Sequence, residues 1–191
     1  MTRPAEEYTL AQQRLHWLSA LLILAMFPMG LVMARTEAAD VRAALYAAHL
    51  IDGVVIAVLS AIRMVLARRR PVAPPPGLPR WNEALNGAVH ALALLVPLVL
   101  ALSGAAALIA NGLMPAVLQP GATIPAVLED VRAQTAHRLL AYGYLALLGV
   151  HVVGVMRYQF TKGDVMRRMG VWGFPGVSTA TGRKTRGGSQ A

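Results

Sequence analysis

Long runs without charged side chains are the feature that most constrains how this chain can fold. Residues 15–34, 84–128 and 139–156 contain no Asp, Glu, Lys or Arg, and residues 43–62 contain a single one, Asp52. A helix needs about 20 mostly apolar residues to cross the hydrocarbon core of a bilayer. Each run is therefore long enough for at least one transmembrane helix.

The longest run, residues 84–128, could hold two spans by length alone. Its second half contains residues that interrupt helices, namely Asn111, Pro115, Pro120 and Pro125. We therefore predict one span that ends near residue 110, followed by an irregular loop at 111–128. The chain is then expected to be an all-α membrane protein, an up-down bundle of four transmembrane helices at about 12–34, 43–67, 84–110 and 132–157.

The bundle and its connections are expected to form one domain at residues 8–170. Residues 171–191 are polar, glycine-rich and basic, which predicts a disordered tail. The first apolar run ends in a weak small-residue pattern, Val32-Met33-Ala34, like the cleavage site of a secretory signal peptide. Its 20 residues exceed a usual signal core, so we expect it to be retained as a helix.

Composition agrees with a membrane protein and excludes several kinds of site. The chain is 56% hydrophobic and 14% charged, whereas soluble domains carry about 25% charged residues. Cysteine is absent. Disulfides, thiolate-bound iron–sulfur clusters and covalent haem attachment through C-x-x-C-H are therefore excluded.

Basic residues are divided unequally between the two sides of the predicted bundle. Fourteen of the 18 lie at the termini, in the second connection or at the helix ends beside them, and the other four are Arg35, Arg42, Arg132 and Arg138. Short cytoplasmic segments carry the excess of Lys and Arg, so both termini are predicted to be cytoplasmic. The net charge of +9 is thereby explained without nucleic acid as a partner.

Histidines recur within these apolar runs, and a spacing of fourteen residues recurs with them. His137 and His151 are separated by that step, and it also joins a histidine to a glycine or an arginine on the other three helices: His16 to Gly30, His49 to Arg63, and His90 to Gly104. Fourteen residues of α-helix advance about 21 Å and return to within about 40° of the starting face. Each pair therefore faces one direction from two depths.

The alternating helix directions sort the five histidines into two layers. His16, His90 and His151 fall in the cytoplasmic half, and His49 and His137 fall in the periplasmic half. Two imidazole layers about 21 Å apart suit two stacked haems, and glycine would let a porphyrin edge approach a helix backbone. The alternative is that the histidines are interhelical hydrogen-bonding groups and the glycines serve close packing.

Four stretches of the chain resemble the bacterial cytochrome b561 family. They are RLHW (14–17), AHLIDG (48–53) with Arg63 beyond it, GAVHALALLVPLVLALSG (87–104), and the His137/His151 pair followed by KGDVMRRM (162–169). The resemblance covers about residues 8–170. It places the chain among four-helix di-haem cytochromes b, a group that includes membrane subunits of nickel–iron hydrogenases and formate dehydrogenases.

The resemblance implies a bundle enclosing two b-type haems, with the fourth helix ligating both. The cytoplasmic-side iron would be held by His16 and His151, and the periplasmic-side iron by His49 and His137. His90 would be a non-ligand residue that contacts a haem propionate or a quinone headgroup, although depth alone would allow it to replace His16.

Four further features of the sequence have expected roles near the haems. Arg63 is a partner for a propionate of the cytoplasmic haem, and Arg138 is one for the periplasmic haem unless it faces solvent. Asp52 could orient His49, pair with Arg42 or Arg138, or carry a proton, because a carboxylate inside a membrane needs a partner or a task. The loop 111–128 could cap the periplasmic haem or form a docking surface.

The expected function is electron transfer in the bacterial inner membrane. Two bis-histidine irons have no open position for oxygen, and the resemblance implies a quinone, ubiquinone or another, as one redox partner. The other would be a periplasmic one-electron donor or acceptor, with superoxide as a candidate donor. The alternatives are a haem-bearing anchor subunit of a larger dehydrogenase or hydrogenase, and a haem-free transporter or proton relay that uses the histidines and Asp52.

Overall fold

A computed structural model describes residues 7–119, 121–125, 131–163 and 165–172. These described residues are mostly helical and form six helices: α1 Leu10–Met33, α2 Ala39–Arg69, α3 Arg80–Ala110, α4 Met114–Leu118, α5 Val131–Thr161 and α6 Val165–Arg168. The tail predicted for 171–191 lies outside the described residues beyond Trp172.

Four of these helices have the length and hydropathy of membrane spans: α1, α2, α3 and residues Arg132–Thr161 of α5. Their outward side chains are apolar and exposed, with Leu21 66%, Leu102 73% and Val153 67% accessible. Such a surface suits a lipid environment, because lipid tails are as apolar as these side chains. The predicted all-α bundle with four membrane-spanning helices is confirmed.

The spanning helices continue past the apolar runs into polar turns, so they are longer than the sequence predicts. α1 begins two residues early because Thr9 caps it, with Thr9 Oγ1 accepting from Gln12 N and the Gln12 side chain accepting from Thr9 N. α2 ends in Arg68 and Arg69, whose charges are favourable at the carboxyl end of a helix. α3 starts directly after Pro79.

The spanning helices pack in chain order, α1 on α2, α2 on α3, and α3 on α5. Among the described residues, no Cα atoms of α1 and α5 approach within 8 Å, and the same holds for α2 and α5. The faces of α1 and α2 that look toward α5 therefore meet it through side chains. Ser19 and Ser60, both fully buried, are small enough for close packing of α1 and α2.

The connection from α3 to α5 folds over the end of α2, and part of it is the short helix α4, where an irregular loop was predicted. Leu113, Val117 and Ile124 of this connection form a buried cluster with Ala43 and Leu108, and Tyr46, Leu50 and Met114 pack against it. We call this connection, residues 111–125 as described, the cap.

Arg42 fastens the cap to α2. Its side chain is only 6% exposed, and its Nε donates to the carbonyl of Ile124 at 2.8 Å while Nη1 donates to that of Thr36 at 2.6 Å. Nη2 also donates to the Ile124 carbonyl. Arg42 is thus hydrogen-bonded to backbone carbonyls. It does not pair with Asp52, which was one of the possibilities considered from the sequence.

Candidate functional site

The interior faces of the four spans are arranged in three layers at seven-residue steps, which return an α-helix to within about 20° of one face. The three-histidine layer comprises His16, Arg63, His90 and His151, and lies nearer the end where α1 begins and α5 ends. The middle layer comprises Ile23, Ile56, Pro97 and Tyr144. The two-histidine layer comprises Gly30, His49, Gly104 and His137.

In the two-histidine layer, the glycines make room for imidazole rings. The ring centroids of His49 and His137 lie 6.3 Å apart with an interplanar angle of 76°. A Cβ on Gly30 would come 3.3 Å from His49 Cε1, and one on Gly104 would come 3.2 Å from His137 Cε1. The sequence suggests a porphyrin edge as the reason for these glycines, and the structure adds a second reason, the width of the histidine rings.

The two rings of this layer differ in their hydrogen bonds. Ser103 Oγ donates to the carbonyl of Leu100 at 2.9 Å, so it accepts from His137 Nδ1 at 2.9 Å. That bond keeps the proton on Nδ1 and leaves Nε2 of His137 free to bind a metal. His49 Nδ1 is buried and has no hydrogen-bond partner among the described residues. Ser103 was missed from the sequence, where only its place beside Gly104 marks it.

The three-histidine layer sets His151 between two other imidazoles. The centroid of His16 lies 6.3 Å from that of His151, and the centroid of His90 lies 5.2 Å from it at an interplanar angle of 89°. Arg63 Nη2 lies 3.1 Å from His16 Nδ1. His90 Nδ1 donates to the carbonyl of Asn86 at 2.7 Å.

Ring spacing and proton position favour different partners for His151. Because arginine only donates, His16 Nδ1 accepts from Arg63, and the neutral ring carries its proton on Nε2. His90 has the opposite tautomer, with Nε2 free. The 6.3 Å spacing of His16 and His151 repeats the His49–His137 distance. The tautomer of His16 is set only by Arg63, and a turn of the Arg63 guanidinium toward an anion would release His16 Nδ1.

The middle layer is largely apolar and buried. Ile23, Ile56 and Tyr144 form one cluster, each no more than 6% exposed, and Pro97 of α3 is buried as well. Pro97 has no N–H to donate to the carbonyl of Ala93 one turn earlier. The Tyr144 hydroxyl donates a hydrogen bond to that carbonyl at 3.1 Å. The carbonyl of Ala93 and the hydroxyl of Tyr144 therefore each have a partner.

The remaining predicted site residues lie outside these contacts. Arg138 is exposed, as the sequence allowed. Asp52 is partly buried on α2, one turn from both His49 and Ile56, and makes no hydrogen bond or ion pair within the described part of the chain. The cap packs against Leu50, the residue after His49, so it covers the end of the bundle nearer the two-histidine layer.

The residues present fit iron that is already held in a macrocycle. A bare zinc ion takes three or four protein ligands, and the described residues contain no group of three His, Asp or Glu placed to hold an ion. Haem iron needs only axial ligands from the protein. An iron bonded to one nitrogen of each ring would hold two centroids about 6 Å apart, since metal–imidazole bonds are about 2 Å. Both 6.3 Å pairs match, and neutral imidazoles in an apolar bundle are suitable donors.

Four membrane-spanning helices with facing imidazoles inside them are the arrangement expected of a b-type membrane cytochrome, the class of protein that binds haem without covalent attachment. The family model for prokaryotic cytochrome b561 matches residues 7–171, and the chain belongs to that family. It is a multi-pass bacterial membrane protein, and the family's b-type cytochromes act in electron transfer. A comparison with individual curated proteins gave no significant match.

Proposed function

We propose that this protein holds two b-type haems and transfers electrons between the quinone pool and a one-electron partner on the periplasmic side. The observation that carries the proposal is the repeat of one imidazole spacing, 6.3 Å, for His16–His151 and His49–His137. When bound, the two haems would supply one-electron redox chemistry, and these four histidines would hold them.

The chain's residues have distinct tasks in this proposal. His16 and His151 hold the haem on the cytoplasmic side, and His49 and His137 hold the other. Ser103 fixes the tautomer and orientation of His137. Arg63, bonded to His16 in the absence of a carboxylate among the described residues, turns its guanidinium to a haem propionate, for which a planar fork of donors is well suited.

His90 lies near one end of the bundle and the cap lies at the other, and we propose that electrons enter and leave at these two ends. His90 lies beside His151 without the spacing of a ligand pair, and is proposed to contact a propionate or the headgroup of a quinone such as ubiquinone. At the other end the cap separates the two-histidine layer from solvent, and Arg42 is used to hold it. Superoxide is a suitable donor there: two superoxide anions would each lose one electron to become dioxygen, and one quinone would take both electrons with two protons to become quinol.

The orientation in this proposal places both termini in the cytoplasm and the protein in the inner membrane. Its support is the distribution of basic residues, with 14 of 18 on one side. A cysteine-accessibility experiment is simple to design because the chain contains no cysteine. A single cysteine at exposed Arg35 should react with a membrane-impermeant thiol reagent added to the periplasm of intact cells.

The first experiment is a reduced-minus-oxidised optical spectrum with pyridine haemochrome quantification on the detergent-purified protein. We expect about two haems b per chain with low-spin bands, since both irons have two imidazole ligands. A short-chain ubiquinol should reduce them. One haem per chain would contradict the two-site assignment, and a haem-free protein would contradict the proposal altogether. A co-purifying soluble subunit with its own redox centre would instead indicate an anchor subunit.

A further inference from the structure

The middle layer divides the interior of the bundle into two parts. Ile23 lies seven residues from both His16 and Gly30, and Tyr144 lies seven from both His151 and His137. Ile23, Ile56 and Tyr144 are in contact with one another, and Val96 and Leu100 of α3 pack against them. Side chains from all four spanning helices therefore meet at one depth.

The middle layer contains a single polar side-chain group among its four residues. Its side chains are hydrocarbon except for the Tyr144 hydroxyl, and that group donates to the Ala93 carbonyl at 3.1 Å. The carbonyl would otherwise be the polar atom that Pro97 leaves without a helical donor. A closed apolar constriction excludes water, and a water molecule in such a place would lack the two to four polar partners it needs.

Groups that can hold protons lie on both sides of the layer. On one side are His16, Arg63, His90 and His151, and on the other are His49, His137 and Asp52. Asp52 is one helical turn from Ile56, so it is the carboxylate nearest to the layer along α2. A continuous water path between the two sets would let protons cross the membrane.

We propose that the middle layer is a proton-tight seal and that the Tyr144 ring is its closing element. Electrons pass between the two haem sites, while protons taken up or released at either site remain on their own side. Electron transfer through the bundle then moves charge across the membrane without a compensating proton. This inference rests on the proposed function for its two haem sites, but the seal itself is measured without any electron transfer.

The test compares two variants that differ only in the aromatic ring. In a Pro97→Ala background the N–H of residue 97 can bond the Ala93 carbonyl, so removal of the Tyr144 hydroxyl leaves no orphan. The holoproteins with Pro97→Ala/Tyr144→Phe and Pro97→Ala/Tyr144→Ala are reconstituted into liposomes that contain pyranine. Proton influx is then driven by a potassium diffusion potential with valinomycin. Tyr142→Ala on the same helix is the matched control, since Tyr142 is 49% exposed and Tyr144 4%.

We expect the Tyr144→Ala double variant to admit protons about tenfold faster per protein or more, because it opens the apolar constriction to water. The wild type, Pro97→Ala/Tyr144→Phe and Tyr142→Ala should remain as tight as protein-free liposomes. A wild type that leaks, or an alanine double variant with two haems that stays tight, overturns the seal. If the alanine double variant loses haem, Ile56→Ala is judged by the same criterion. Haem content, measured on each sample by pyridine haemochrome, tests the proposed function separately.

Discussion

Tyr144 and Pro97 are linked through a single backbone carbonyl. Pro97 deprives the carbonyl of Ala93 of its donor within α3, and the hydroxyl of Tyr144 on α5 supplies one at 3.1 Å. Within the hydrocarbon core of a membrane, an unpaired carbonyl cannot accept a hydrogen bond from water instead. The proline in one helix and the tyrosine in another therefore act as one unit, although 47 positions separate them in the sequence.

Removal of the Tyr144 hydroxyl should destabilise the protein unless Pro97 is also replaced. Tyr144→Phe leaves the Ala93 carbonyl unsatisfied, at a cost of about 1–3 kcal/mol. Pro97→Ala restores an N–H at the proper place, so the double variant should recover most of that loss. Thermal unfolding in detergent, followed by the Soret band, measures both. Equal stability of the wild type and Tyr144→Phe would show that the bond contributes nothing.

Ser103→Ala should weaken retention of one haem only. Ser103 accepts from His137 Nδ1 at 2.9 Å, and loss of such a partner typically lowers metal affinity about 10–100-fold. Haem transfer to apomyoglobin would show one fast phase where the wild type has two slow ones. Ser60→Ala is the control, because Ser60 is also fully buried while its Oγ has no partner among the described residues. A similar effect of both substitutions would point to packing.

Gly104→Ala should loosen the haem held by His49 and His137. An added Cβ would lie 3.2 Å from His137 Cε1 and 3.4 Å from Nδ1, so the ring must shift by a few tenths of an ångström, which strains its hydrogen bond with Ser103. We expect about one haem per chain by pyridine haemochrome, the remaining haem being the one bound by His16 and His151. Gly87→Ala on the same helix has nothing within 4 Å of the new Cβ and should retain two haems. Full retention in Gly104→Ala would mean that the ring can shift at little cost.

The ligand opposite His151 is decided by comparing His16→Ala with His90→Ala. We expect His16→Ala to lose the cytoplasmic haem and His90→Ala to keep two, because only the first pair has the 6.3 Å spacing. His49→Ala should lose the other haem, and its spectrum then serves as the reference for a protein that holds only the cytoplasmic haem. If His90→Ala loses a haem while His16→Ala keeps both, then the tautomer of His90 was the better guide than the ring spacing.

Arg63→Gln should lower the reduction potential of the cytoplasmic haem. A nearby positive charge favours the reduced iron, which carries one positive charge fewer. Removal of the Arg63 charge should make reduction of the iron about 1 kcal/mol less favourable, which lowers the reduction potential by about 40 mV for one electron. Redox titration followed at the α band measures the shift. Arg63→Lys keeps the charge but not the planar fork, so its reduction potential should stay close to that of the wild type. An unchanged potential in Arg63→Gln would place the charge away from the iron.

Much of the fold and part of the site could be predicted from the sequence, because membrane spans and helical periodicity are local properties. The runs without charge predict the four spans, and the fourteen-residue step indicates which histidines share a face. The roles of Ser103 and Arg42 could not be predicted, since they depend on which backbone carbonyls and side chains other helices bring near. The seven-residue position of Tyr144 is readable in the sequence, but its partner Ala93 is not.

The packing order of the helices also determines when the site can be completed. Because no Cα atoms of α1 and α5 lie within 8 Å of each other in the described part of the chain, it is the side chains of His16 and His151 that bring the first and fourth spans together, and His49 also has its partner on α5. During synthesis α5 enters the membrane after the other three spans. Neither imidazole pair exists until α5 has been inserted, so a chain stalled before α5 would lack both of the proposed haem sites, and haem loading would report that all four spans are in place.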